Sequence, residues 1–79
     1  MADALLDPLL EWLRIPSIST GGGDPAEVRR AASWAADRVI AAGGTADLVE
    51  LDGANPIVVG ELRAADPDEP TVLIYGHYD

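Results

Sequence analysis

The sequence contains a single histidine, His77, in the run Gly76-His77-Tyr78-Asp79 that follows the apolar stretch Thr71-Val72-Leu73-Ile74-Tyr75. A neutral imidazole is a good zinc ligand, and a carboxylate that accepts the other ring N–H fixes its tautomer and raises its basicity. If the extended conformation of the stretch persists, its period of two puts His77 and Asp79 on one side and Tyr78 on the other. Gly76 lets the backbone approach a neighbour or a bound group closely. The same triplet also reads as a strand end followed by a turn. His-x-Asp is a common spacing, and by itself it leaves both readings open.

Other residues could do chemistry by type but lack partners in the sequence. Ser17, Ser19 and Thr20 have no base placed to activate them, and polar residues after a helix usually make turns. Gly21-Gly22-Gly23 lacks the lysine and the strand-to-helix setting of a phosphate loop and reads as a flexible link. Glu50, Glu61 and Glu69 precede the histidine in strand or loop and read as solvated surface. Trp12 and Trp34 read as packing residues on helices rather than as ligand-stacking platforms.

The elements that must position His77 follow from periodicity. Leu6, Leu9, Leu10 and Leu13 recur at helical spacing, with Trp12 beside them. Pro8 either opens that helix behind an Asp7 cap or lies inside a longer one. The helix stops near Arg14, because Ile15 precedes Pro16 and is pushed towards an extended conformation. A second helix begins with Asp24 as N-cap, Pro25 at the first position and Glu27 where a capping box wants it. Val28, Ala31, Ala32, Ala35 and Val39 share one face, whose small residues suggest close approach to a sheet, and Gly43-Gly44 terminates it. Residues 45–51 and 56–62 read as two strands joined by the turn Asp52-Gly53-Ala54-Asn55. Ala64 to Pro70 is an acidic, proline-bounded loop. The continuous apolar run 71–75 reads as a strand buried on both faces, as in the middle of a helix-flanked sheet. In such open sheets, ligands bind beyond the carboxyl ends of the strands, which is where His77 falls. The expected fold is therefore α/β, with two helices packed on a mixed, mostly buried β-sheet.

Composition narrows the partners. The chain has 79 residues, 48% hydrophobic and 24% charged, which allows one small globular domain of marginal stability alone. It has no cysteine, so neither disulfides nor a thiolate zinc site can supplement the core. The net charge of −9 repels phosphate backbones and anionic lipid, so neither nucleic acid nor membrane is expected as a partner. The opening Met1-Ala2-Asp3 has no basic leader and no long apolar run, and a cytoplasmic location is the default.

Leu73-Ile74-Tyr75-Gly76-His77-Tyr78-Asp79 resembles the segment bearing the first zinc-ligand histidine of the dinuclear zinc peptidases. That family comprises carnosinase-like dipeptidases, acetylornithine deacetylases, succinyl-diaminopimelate desuccinylases and glutamate carboxypeptidases. Trp12-Leu13-Arg14-Ile15-Pro16-Ser17-Ile18-Ser19 resembles the family's first helix and loop. The helix ending at Gly43-Gly44 matches next, and Asn55-Pro56-Ile57-Val58-Val59-Gly60 resembles the following strand, so the likeness spans nearly the whole chain. Tyr78 is more typical of the dipeptidase branch; the deacylases more often carry Thr there.

The resemblance implies that His77 binds one zinc ion and that Asp79 is the catalytic-motif aspartate clamping its ring. It implies two zinc ions in the whole enzyme, with other divalent metals as substitutes, and metal-assisted hydrolysis of a peptide or N-acyl amino acid. Residues 1–79 would be the amino-terminal portion of one catalytic domain. The bridging aspartate, a glutamate pair, a further acidic ligand, a second histidine and a homodimerising domain would lie downstream, so the chain alone is expected to be inactive. The rival expectations are an N-acyl-amino-acid deacylase of the same family and a small non-catalytic α/β interaction module in which His77 and Asp79 are incidental.

Overall fold

The computed structural model describes residues 2–79. Met1, where the leader-free reading of the sequence begins, lies outside them. Four elements follow in order: α1 (Ala2–Leu13), α2 (Pro25–Ala41), β1 (Thr45–Val49) and β2 (Ile57–Glu61). No helix is long and apolar enough to cross a membrane among the described residues.

The structure selects the longer form of α1, with Pro8 inside it. Proline cannot donate to the carbonyl one turn earlier, so that turn is held by fewer bonds than the rest. The helix ends at Leu13, two residues short of the Ile15-Pro16 pair that blocks its continuation. At the start of α2, the Asp24 side chain accepts from the Ala26 N–H at 2.9 Å. Glu27 does not close a capping box; its carboxylate pairs with Arg30 at 3.0 Å instead. The far end is a Schellman motif: Gly44 N–H donates to the Val39 carbonyl and Gly43 N–H to the Ile40 carbonyl, both at 3.0 Å. Gly43 there adopts φ +98°, a conformation that costs a residue with a Cβ.

The two strands form an antiparallel pair in the register Thr45↔Glu61, Ala46↔Gly60, Asp47↔Val59, Leu48↔Val58 and Val49↔Ile57. Each ends one or two residues inside its expected bounds. A two-stranded hairpin is marginal in water by itself, and α2 supplies its cover. Val39 lies over the bare backbones of Gly44 and Gly60: a Cβ on Gly60 would come within 3.1 Å of its methyls. That is the close helix–sheet approach foreseen from the alanine stripe. Val28, Ala31, Ala32 and Ala36 are buried on that helix, and Ile15 closes the core from the loop after α1.

Three expectations need correction. First, residues 71–75 form no strand, and Val72, Leu73, Ile74 and Tyr75 are 79–92% exposed. An apolar run becomes a buried strand only when strands on either side accept its hydrogen bonds and layers above and below cover it. Neither is supplied here, so the sheet is two-stranded and antiparallel, not mixed. Second, the sheet is not mostly buried: Ala46, Leu48 and Val58 are half-buried towards α2, whereas Val49, Ile57 and Val59 are exposed on the other face. Third, only α2 packs on the sheet. The α1 helix leans on α2 through its last turn, where the Trp12 and Trp34 rings stack with centroids 5.2 Å apart. The Trp12 indole N–H donates to the Ala31 carbonyl at 3.1 Å, and that of Trp34 to Glu11 at 3.0 Å. The leucines of α1 stay partly or largely exposed, Leu5 and Leu13 most of all. The radius of gyration, 14.3 Å, exceeds the roughly 12 Å of a compact chain of this length, in keeping with a terminal segment that does not fold into the core.

Candidate functional site

The sequence brings His77 to the surface beside the end of α1 rather than to the end of a sheet strand. What places it is a set of polar ties. The Tyr78 hydroxyl donates to the Pro56 carbonyl at 2.6 Å, fastening the segment to the residue that precedes β2. The Ser17 hydroxyl donates to the Tyr78 carbonyl at 3.1 Å, and the Ser19 hydroxyl donates to Asp79 Oδ2. These contacts span 22, 61 and 60 residues of sequence, so the motif is held by two separate parts of the chain.

Within the motif, His77 Nδ1 lies 3.3 Å from Asp79 Oδ1. His77 and Asp79 therefore share a side while Tyr78 turns away to Pro56, the alternation expected of extended backbone. The Tyr75 ring meets His77 edge-on, with centroids 5.6 Å apart, and its hydroxyl lies 3.5 Å from Nε2, the outer limit of a hydrogen bond. The imidazole is largely exposed and the carboxylate less so, with side-chain exposures of 72% and 39%. The Ser19 hydroxyl, and secondarily the His77 ring, hold the Asp79 carboxyl below its ordinary range. Burial, and after it the charge of Asp79, pushes the Tyr78 phenol above its ordinary value, which keeps it protonated as a donor to Pro56.

The motif borders an open cavity of about 470 Å³ between the end of α1, one face of α2 and the start of β2. Its walls are largely apolar, including Trp12, Val28, Pro56 and Val58, with His77 and Asp79 at the rim. Such a mix of apolar wall and few polar groups suits a small organic ligand. Trp12 packs on Trp34, as read from the sequence, and its ring also borders the cavity.

For a metal, the donor set is one imidazole with its carboxylate partner. Among the described residues no group of three or more His, Cys, Asp and Glu side chains is gathered that could hold a metal ion. The glutamates read as surface remain outside the site. Glu50 accepts a two-pronged bond from the Arg29 guanidinium, both arms 2.6 Å, which holds its carboxyl below its ordinary range; Glu61 pairs with Arg63. What the sequence missed is the pair of serines. Ser17 and Ser19 read as turn residues, and nothing in their local spacing signals contact with residues some sixty positions away.

No protein-family model matches the chain, and no solved structure matches it significantly.

Proposed function

We propose that this chain supplies a zinc-ligand histidine, His77, and its orienting aspartate, Asp79, to the active site of a metal-dependent amide hydrolase that cleaves dipeptides or similar substrates. The observation that carries the proposal is the 3.3 Å approach of Asp79 Oδ1 to His77 Nδ1. A carboxylate is acceptor-only, so the shared proton of a neutral ring sits on Nδ1 and leaves the Nε2 lone pair, which the Tyr75 hydroxyl approaches no closer than 3.5 Å, for a cation. The resemblance of residues 73–79 to the first ligand segment of the dinuclear zinc peptidases supports the same assignment, and Tyr78 favours the dipeptidase branch over deacylases of N-acyl amino acids. When bound, zinc would lower the pKa of a coordinated water and polarise the substrate carbonyl. The chain's own residues would orient that ion through His77 and offer the apolar cavity to the substrate side chain. Zinc is expected to be held weakly by a single imidazole, since closed zinc sites use four ligands and catalytic ones three.

The test uses the single histidine as a reporter. Zinc added to the isotopically labelled 79-residue chain is expected to shift the His77 ring resonances through Nε2. Asp79→Asn keeps the shape but removes the charge, and should weaken that binding about 10-fold to 100-fold. A His77 ring untouched by zinc, or an Asp79→Asn chain of unchanged affinity, would sink the proposal. No glutamate lines the cavity among the described residues, so this chain with zinc should leave a dipeptide intact. Turnover abolished by His77→Ala would show instead that the site is complete without further ligands.

A further inference from the structure

The Ser17–Ser19 segment has no role in the proposed chemistry, yet it makes two of the three ties that hold the motif. Its partners differ in kind. The Ser17 hydroxyl takes the carbonyl of Tyr78, the residue between ligand and carboxylate, and so fixes the backbone that relates them. The Ser19 hydroxyl takes the second oxygen of the Asp79 carboxylate, leaving Oδ1 for the His77 ring. A carboxylate gripped at one oxygen cannot rotate freely, and its other oxygen is presented to Nδ1 in one direction. Ser17 donates to a backbone carbonyl and Ser19 to a carboxylate whose other oxygen is already engaged by the His77 ring and whose basicity is lowered, so their effect is on geometry.

The glycine triplet has a part in the same device. Gly22 has φ +95°, which favours glycine, and an added Cβ there would meet nothing within 4 Å. Gly23 differs: a Cβ at that position would lie 2.0 Å from the Ile18 carbonyl oxygen and 2.9 Å from its carbon. The chain therefore folds back on Ile18 at Gly23, and Ile18 is the residue between the two serines. Gly23 is thus a close-packed support for the serine segment, where the sequence suggested only a flexible link.

We infer that Ser19 is a positioning residue that acts through Asp79 to set the tautomer of His77, with Ser17 and Gly23 holding the segment in place. The inference rests on the zinc reading only for what the free Nε2 is used for; the tautomer itself exists without metal. A solvated histidine favours the Nε2–H form, so a ring held by Asp79 should show an enriched Nδ1–H form.

The chain's only histidine makes the test direct. Long-range proton–nitrogen spectra of the nitrogen-labelled 79-residue chain, at a pH where the ring is neutral, report the ratio of the two tautomers. Ser19→Ala is expected to lower the Nδ1–H to Nε2–H ratio about threefold, the effect of one lost hydrogen bond to a charged group felt partly at the next one. Ser19→Thr, which keeps the hydroxyl, should restore the ratio. Gly23→Ala should lower it without removing either serine hydroxyl, by displacing Ile18 between them, whereas Gly21→Ala, which has open space, should not. An unchanged ratio in Ser19→Ala, or a ratio that Ser19→Thr fails to restore, overturns the inference. Adding zinc to the same samples separates the two ideas. A tautomer shift with no zinc at His77 keeps the positioning role and removes the metal reading. Zinc at His77 with a ratio indifferent to Ser19 does the reverse.

Discussion

Two apolar regions of this chain meet opposite fates. On α2, Val28, Ala31, Ala32 and Ala36 are small or medium side chains, and all are buried. In the terminal run, Val72 is no smaller than Val28, and Leu73, Ile74 and Tyr75 are larger than any of those, yet all four stand 79–92% exposed. Burial here follows the availability of a matching surface rather than the hydrophobicity of the residue. The helix finds a hairpin whose glycines admit it closely; the run finds neither a ladder partner nor a covering layer. It is tethered past its end by the polar ties of Tyr78 and Asp79 instead.

The sharpest way to break that contrast is to spoil the close approach. A Cβ on Gly44 would meet the Glu61 carbonyl oxygen at 2.4 Å, Leu62 at 2.8 Å and a methyl of Val39 on α2 at 3.0 Å, and the first of these is backbone that cannot swing aside. Gly44→Ala is therefore expected to destabilise the fold by about 2 kcal/mol, as overpacking does. In a chain this small, that is a large part of the total stability. A urea midpoint left unchanged would show that α2 and the hairpin are not closely packed in solution.

A smaller effect should appear with pH, in the tethered region and, on the acid side, at the Arg29–Glu50 pair, whose lowered carboxyl loses its tie as pH falls. The folded-state value of Tyr78 is raised, so its contribution is present in full below the ordinary phenol range and is lost as pH rises through the raised value. The folded-state value of Asp79 is lowered, so its tie to Ser19 is present above the ordinary carboxylate range and is lost as pH falls through the lowered value. The core of α2 and the hairpin has no buried polar or charged side chain among the described residues and should be indifferent in the alkaline window. In a Tyr75→Phe background, phenolate absorbance isolates Tyr78. A midpoint at or below the ordinary phenol value would show that the Tyr78 ring is not buried beside Asp79 in solution.

The smallest effect is expected in the apolar run. Leu73→Ser with Ile74→Ser should change the unfolding free energy by no more than about 0.5 kcal/mol, because those side chains are already in water. The same pair should lower self-association, since an extended apolar segment with unpaired backbone is a template for pairing between chains. A loss well beyond that limit would mean that the run is covered in solution, and the contrast between the two regions would disappear.

What the sequence determined by itself is local. Asp24, Pro25 and the glycine pair 43–44 bounded α2 because caps and terminators act through a few neighbouring residues. The turn at Gly53 set the hairpin, with φ +72° at that glycine. The alternation of His77, Tyr78 and Asp79 followed from the period of extended backbone, and it placed the carboxylate beside the ring. The reading failed where the outcome depended on partners. Residues 71–75 carry a strand's composition, but pairing is a property of two segments, and composition reports on one. The leucines of α1 show a helical stripe, yet its surface partner is a single tryptophan turn of α2. The hold of Ser17 and Ser19 on the motif, and the support Gly23 gives Ile18 between them, were invisible for the same reason: hydroxyls and bare backbone carry no periodic signal, and only the folded chain brings the serines to residues some sixty positions away.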